Sequence, residues 1–461
     1  MPSTLVNISS TLSNESLQSA LYAATGRLMQ HRRVAIAPEV LTDYQELRTQ
    51  ANALKRHTID HLDHYLEQFE ANVIRHGGQV VWCESATDAA DFIVKLAKER
   101  QAKLLVKSKS MTTEELHLND RLEHHGLETV ETDLGEYIIQ LAGQKPYHIV
   151  APAMHMTRYD VARVFSDKLG IEREEVPEKQ TMIARAVLRE KFLRADIGIT
   201  GANFLVADSG AVVIVENEGN ARLTSTAPGI HIAVAGIEKL IPRVQDLSVF
   251  LKLLGRSATG QPLTSYTSFL SGPRRPGEKD GPDEFYVLLV DNGRTKLLEN
   301  PERRQSLYCI RCGACLNHCP VYRKIGGHNY PWVYSGPIGA ILSPQFHGVH
   351  KDKWLPYASS LCGACGEVCP VKIDIPKLLL DLRSDVVSKT NPSWPERFAM
   401  RAYAYVMQRP SLYAFAGKLA SFGAKLHLPN PWTAQRDLPA FPQRSFRDEW
   451  KLRQAQRSSK S

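Results

Sequence analysis

Cysteine is nearly absent from this chain outside one short stretch. Of eight cysteines in 461 residues, only Cys83 lies elsewhere, in the strand-like run Gln79-Val80-Val81-Trp82-Cys83. That distribution excludes an extracellular disulfide framework and fits a reducing cytoplasm, with Cys83 as a small core residue. Long apolar runs are missing too. No stretch reaches the roughly 18 consecutive apolar residues a membrane-spanning helix needs, so any membrane contact is expected to be peripheral. The N-terminus lacks a basic start followed by an apolar run, so it does not read as a secretory signal. No Gly-x-Gly-x-x-Gly follows a strand, which removes a bound nicotinamide or flavin dinucleotide as hydride acceptor. A Cys-x3-Cys-x2-Cys run is also absent, and with it the signature of S-adenosylmethionine radical chemistry.

What is present is ordinary globular material, 43% hydrophobic and 23% charged, long enough for two to four domains. The net charge of +8 is unevenly placed: residues 391–461 hold twelve Lys/Arg against four Asp/Glu. No nucleic-acid module accompanies this basic tail, so it reads as a solvated face or a docking face for an acidic partner, not as a nucleic-acid binder.

Periodicity divides the chain into four regions. Residues 1–76 read as a helical N-terminal region: one helix and a loose arm over 1–39, then a long amphipathic helix over 41–76. Leu62, Tyr65, Leu66, Phe69 and Val73 form its stripe, and Gly77-Gly78 its stop. Residues 77–300 alternate helical patterns with short apolar runs at 79–83, 103–106, 147–150, 196–200, 211–215, 231–235 and 285–290. This alternation predicts an α/β domain with a largely parallel sheet. Ser85-x-x-Asp88 has the form of a capping box, and the Gly/Pro-rich run at 271–282 reads as an exposed loop. Residues 301–390 hold the cysteines. Residues 391–461 read as helical over 398–428 with a break near Pro410, then as an extended tail from Pro429. Tyr403, Tyr405, Phe415 and Phe422 are the expected packing residues there.

The chemistry lies in Cys309-x2-Cys312-x2-Cys315-x3-Cys319-Pro320, followed by Cys362-x2-Cys365-x3-Cys369-Pro370. The first run has the bacterial ferredoxin spacing for [4Fe-4S] ligation, in which the fourth cysteine of each run serves the other cluster. Applied here, cluster 1 takes Cys309, Cys312, Cys315 and Cys369, and cluster 2 takes Cys319, Cys362 and Cys365. Zinc sites are more often built from separated Cys-x2-Cys pairs. The second run is one thiolate short. Aligning Cys362 with Cys312 puts Ser359 opposite Cys309. The second centre is then a [4Fe-4S] cube with Ser359, water or a histidine as fourth ligand, or a [3Fe-4S] centre, or a cube completed by a partner's thiolate or Cys83. Two such centres make the chain an electron carrier whose donor and acceptor lie elsewhere.

Several motifs carry a resemblance. Leu307-Tyr308-Cys309-Ile310-Arg311-Cys312-Gly313-Ala314-Cys315, Tyr322-Arg323-Lys324-Ile325-Gly326-Gly327-His328, Ser335-Gly336-Pro337-Ile338-Gly339 and Ser360-Leu361-Cys362-Gly363-Ala364-Cys365 are among them. So are Lys107-Ser108-Lys109-Ser110-Met111, the 131–137 motif, the 198–204 motif and Asn217-Glu218-Gly219-Asn220. From about Leu47 to the tail the chain resembles the lactate utilisation protein B family. The resemblance implies a LUD α/β domain related to the CoA-transferase and sugar-phosphate-isomerase folds, followed by a mostly helical two-cluster ferredoxin domain. It also implies a shared three-cysteine second run, and two companions, a cysteine-rich protein A and a LUD-domain protein C, in oxidising L-lactate to pyruvate. The alternatives are a LUD domain that is itself catalytic or ligand-binding, with structural or redox-sensing clusters, and service to another 2-hydroxy acid such as glycolate. Within the LUD region Glu216 to Asn220 read as a turn, Arg222, Thr224 and Thr226 as candidates for an anion pocket, and His155 and His231 as satisfied histidines.

Overall fold

Runs of β-branched and aliphatic residues buried on both faces build the centre of the protein, and they sort into two sheets. The computed structural model describes residues 3–390, 393–425 and 444–458. The strands are β1 (Gln79–Cys83), β2 (Leu104–Lys107), β3 (Glu128–Glu131), β4 (Ile197–Thr200), β5 (Phe204–Val206), β6 (Ala211–Glu216), β7 (Ile230–Gly236), β8 (Leu240–Ile241), β9 (Tyr266–Leu270) and β10 (Glu284–Val290). Six of them form one sheet in the order β1-β10-β7-β4-β2-β3. Every pairing in it is parallel. Helices on both faces bury it, which is why β4 and β7 read as unbroken apolar runs. The other four strands form a smaller sheet, β8-β5-β6-β9, with β5, β6 and β9 antiparallel. The chain leaves β2 for the edge strand β3 and returns to β4 on the opposite side of β2. That reversal opens a crevice at the carboxyl ends of β2 and β4, where open α/β sheets bind their ligands.

The α/β class and the largely parallel sheet are as expected from sequence, and the capping box at Ser85 and Asp88 is present. Three readings within residues 1–390 are corrected. Residues 147–150 form no strand. They make a bent wedge: Tyr322 Oη donates to the Tyr147 carbonyl at 2.8 Å, and Ile149 packs in the core shared with the cysteine region. The run is apolar because that region covers it, not because a sheet does. Residues 41–76 form two helices, Tyr44–Asp60 and Leu62–Arg75, broken at His61. The break lets the first helix serve the cysteine loops, with Asn52 Nδ2 donating to the Val371 carbonyl at 2.8 Å. The second helix serves the sheets, with Asn72 Nδ2 donating to the Ala207 carbonyl at 2.7 Å.

The third correction concerns the N-terminal arm, which is not loose. Helices Ser3–Ser13 and Glu15–Ala35 meet at the Asn14 cap. Buried Arg32 then donates to the Val368 carbonyl at 3.1 Å, and buried Arg48 to the Cys369 carbonyl at 2.8 Å. Basic residues that look solvent-directed in the sequence satisfy carbonyls that the tight cysteine loops leave without partners.

Residues 1–390 form one compact unit and 391–461 a second. In the second unit helices Trp394–Met407 and Pro410–Lys425 flank the expected break, and Phe446–Ser458 is helical where an extended tail was expected. Leu428 and the segment from Pro429 to 443 lie outside the described residues. Tyr403, Tyr405, Phe415 and Phe422 are exposed, so they do not form the expected core.

Candidate iron-sulfur site and adjoining cavity

The two cysteine runs fold as near-copies. Arg311 and Leu361, each two residues before a glycine, both adopt left-handed backbone, with φ of 60° and 55°. Gly313 and Gly363 follow with φ of 73° and 84° and open the short helices Ala314–His318 and Ala364–Val368. The turn points backbone N–H groups at sulfur. Arg311 N–H donates to Cys309 Sγ at 3.4 Å, Tyr322 N–H to Cys319 Sγ at 3.4 Å, and Ile373 N–H to Cys369 Sγ at 3.4 Å. In the second copy Leu361 N–H donates to Ser359 Oγ at 3.1 Å. The serine hydroxyl therefore makes the same bond, to the residue two further on, that the Cys309 sulfur makes. The sequence alignment of Ser359 with Cys309 thus has a counterpart in backbone geometry.

The cysteines separate into two groups. Cys309, Cys312, Cys315 and Cys369 line one small apolar chamber, closed by Ile149, Ile310, Ile338, Val371, Ile373 and Ile375. Burial pushes the thiols of Cys312 and Cys369 up to about 12 and about 11, and neighbouring sulfurs of this set add to the effect. Cys319 and Cys365 are likewise raised by burial, and each feels Cys362. Cys315 feels Cys365, so the two groups adjoin. Cys362 is exposed, so the second group opens to the surface. Cys83 lies in a separate core with Ala89, Ile93 and Val290. Burial pushes its thiol up to about 12, and its place in a core apart from both cysteine groups fits a packing residue.

The chamber fits a negatively charged thiolate cluster on electrostatic grounds. Near Cys309 the interior holds three buried cations, Lys55, Lys239 and Arg311, linked through Glu238 to a fourth, Arg294, against two buried carboxylates, Glu115 and Glu238. Arg294 binds Glu115 through both terminal nitrogens at 2.8 Å and Glu238 through Nε at 2.5 Å. Arg311 reaches Glu238 at 3.4 Å and lies 4.5 Å over the Tyr334 ring. Burial draws Lys55 down to about 7 and Lys239 to about 8, while the Cys309 sulfur acts on both in the opposite direction. An uncompensated excess of buried positive charge is costly unless an anion stands next to it, and an iron-sulfur cube bound by four thiolates is such an anion. The buried Tyr330 hydroxyl, which feels Cys319 and Cys315, has no hydrogen-bond partner among the described residues.

Against the same loop lies a cavity of about 380 Å³. It sits at the carboxyl ends of β2 and β4, and is completed by β6 and by Arg311 from the cysteine region. Lys109, Lys239 and Arg311 bring positive charge to its wall, and Asp133, Glu216 and Glu218 bring negative charge. Glu216 is committed to structure: its carboxylate accepts from Ala221 and Arg222 N–H at 2.9 and 2.8 Å, at the start of helix Asn220–Thr226. Glu218 is held by a single backbone contact, Oε2 accepting from Leu134 N–H at 3.3 Å. Partial burial and the Asp133 carboxylate beside it push its carboxyl up to about 7.

The proposed anion residues Arg222, Thr224 and Thr226 do not line this cavity. Thr224 Oγ1 bonds to the Asn220 carbonyl and Thr226 Oγ1 to the Arg222 carbonyl. His231 is buried against Thr200 Oγ1 at 2.8 Å, and His155 pairs with Gln144 Oε1 at 2.8 Å. Burial draws both down, to about 3 and about 4, so they are neutral structural histidines.

A parallel α/β sheet joined to a twin-run cysteine domain defines the class, a LUD domain with an iron-sulfur domain, and the chain matches the family descriptions accordingly. These are LUD domain over 66–290, 4Fe-4S dicluster domain over 305–373, and the lactate utilisation protein B C-terminal region over 386–455. It is 46% identical over 454 residues to "Lactate utilization protein B" of Bacillus licheniformis, covering 96% of this chain and 94% of the relative. To the Bacillus subtilis protein of the same name it is 45% identical with the same coverage. The chain belongs to the lactate utilization protein B family.

Proposed function

We propose that this protein is the iron-sulfur electron-transfer subunit of a multi-protein system that oxidises L-lactate to pyruvate. The observation that carries the reading is the sorting of the cysteines into one buried set beside the cavity and one set opening to the surface at Cys362. Cys309, Cys312, Cys315 and Cys369 hold the first centre, and Cys319, Cys362 and Cys365 the second. Two [4Fe-4S] centres supply one-electron acceptance, matching the two electrons that lactate gives up. The protein's own contribution is to exclude water with the isoleucine-lined chamber and to fix both loops through Arg32 and Arg48. Companion proteins A and C fit as the chains that hand electrons on or receive them.

Anaerobic mixing of this protein with A, C and L-lactate should bleach the visible cluster absorbance, and Cys312→Ser should abolish the part due to the buried centre. Clusters that stay oxidised in the full mixture, yet are reduced by dithionite, contradict the reading.

Ser359 is assigned as the fourth ligand of the second centre, because its hydroxyl takes the place that Cys309 Sγ takes in the first run. Ser359→Ala should then lose about one iron per chain and show a three-iron signal, whereas Ser359→Cys should keep the full complement. Identical iron content and spectra in all three proteins would remove the serine from the ligand set.

A further inference from the structure

The cavity at the β2–β4 crevice shares two buried cations, Lys239 and Arg311, with the surroundings of Cys309, and the electron-carrier reading gives the cavity itself no role. Two of its wall cations are more than nine-tenths buried: Lys239 is 8% exposed and Arg311 9%. Arg311 Nη1 has no hydrogen-bond partner among the described residues that meets ordinary geometry, and the guanidinium lies against the Cys309 sulfur. Lys239 makes no hydrogen bond or ion pair among the described residues. Arg311 cannot swing away to find a partner, since Glu238 and the Tyr334 ring hold its other side. A buried ammonium without a partner, in the wall of a cavity that a second buried cation, Arg311, also lines, forms a candidate anion site.

The rest of the wall narrows the ligand class. Ile149, Ile214, Val215, Leu254 and Ala258 provide a short apolar surface. Glu218, exposed at the mouth beside Asp133, provides a carboxylate able to accept from a hydroxyl. A cavity of about 380 Å³ is at the small end of ligand pockets, which run from about 300 to 1,000 Å³.

We propose that this cavity binds a three- or four-carbon 2-hydroxy or 2-oxo carboxylate, its carboxylate held by Lys239 and Arg311, so that the bound acid sits one side chain away from the Cys309–Cys312 loop. The proposal rests on the lactate reading above and deepens it, by placing the substrate or its product on this subunit. Arg311 is then a positioning residue shared between the cavity and the cysteine chamber, both of which it lines.

The test is calorimetric titration of the full, cluster-loaded chain with L-lactate, pyruvate and inorganic phosphate, and reduced-state EPR with and without pyruvate. One saturable site for lactate or pyruvate is expected, with at least tenfold weaker binding in Lys239→Met and in the cavity-filling Ala202→Leu at unchanged iron content. Pyruvate should also perturb the EPR signal of the buried centre in the wild type but not in Lys239→Met. Absence of saturable binding, equal affinity in Lys239→Met, or phosphate binding as tightly as pyruvate overturns the proposal. Failure is distinguishable from failure of the electron-carrier reading. Loaded, reducible clusters without acid binding sink only the cavity proposal, while acid binding to a chain that holds no iron sinks only the carrier.

Discussion

Arg294→Met should lower the unfolding free energy by about 3–5 kcal/mol, the usual cost of removing one partner from a buried ion pair. Arg294 is fully buried and joins parts of the chain that are far apart in sequence. Its terminal nitrogens hold Glu115 from the helix after β2, and its Nε holds Glu238 from the turn after β7. Glu115 in turn accepts from Tyr334 Oη at 2.6 Å and Asn292 Nδ2 at 2.8 Å. Methionine fills similar space but leaves two carboxylates buried with too few donors. Arg294→Lys should be nearly as damaging, because an ammonium cannot make the two-pronged contact with Glu115.

A pH signature accompanies this. Arg294 and Arg311 overcome the burial of Glu238 and hold its carboxyl down at about 2. The folded value is below the unfolded one, so this stabilisation is present above the ordinary glutamate range and is lost as pH falls toward 2. Denaturant unfolding of wild type and Arg294→Met at pH 7 and pH 4 should show a large gap that narrows in acid. Equal stability at pH 7 would mean that the network is not what joins the LUD sheet to the cysteine domain.

The second large effect is a crosswise one. Cys369→Ala lies in the second run but should remove the first, buried centre, because Cys369 shares its chamber with Cys309, Cys312 and Cys315. Cys319→Ala lies in the first run but should remove the surface centre, because its thiol neighbour is Cys362. Each variant should lose about four irons per chain while keeping the spectrum of the other centre. Iron counting with EPR on both variants decides it. If each variant loses the centre of its own run, the assignment of the two sets is wrong.

How legible was this in the sequence? The cysteine spacing was local and made the iron-sulfur domain legible, since the cysteines of each run lie within about one tight turn and a helical turn of each other. The parallel sheet was legible because strands buried on both faces are continuous apolar runs. Four strands were not read. β3 is Glu128-Thr129-Val130-Glu131, whose Glu131 is buried only because Lys107 meets it at 2.7 Å. β5, β8 and β9 are short or only partly buried, and β8 and β9 pair with strands distant in sequence. The 147–150 run shows the opposite error: an apolar stretch covered by another region looks like a strand until the covering surface is known.

The cavity was illegible for a related reason. Its wall is assembled from the loops after β2 and β4, from β6, from the turn after β7 and from Arg311. The sequence did carry one signal: Glu238-Lys239 interrupts an apolar stretch that otherwise runs from Ile232 to Ile241. A charge pair inside a buried run marks an ion-pair network or a ligand site, and here Glu238 joins the ion-pair network while Lys239 lines the cavity.

The most direct test of the account is quantitative iron, acid-labile sulfide and zinc analysis of anaerobically purified protein, joined to spin counting after reduction. About seven to eight irons with matching sulfide, and two interacting paramagnetic centres on reduction, are predicted for seven thiolates and one serine. Zinc without sulfide, or four irons and a single centre in fully loaded protein, would contradict it.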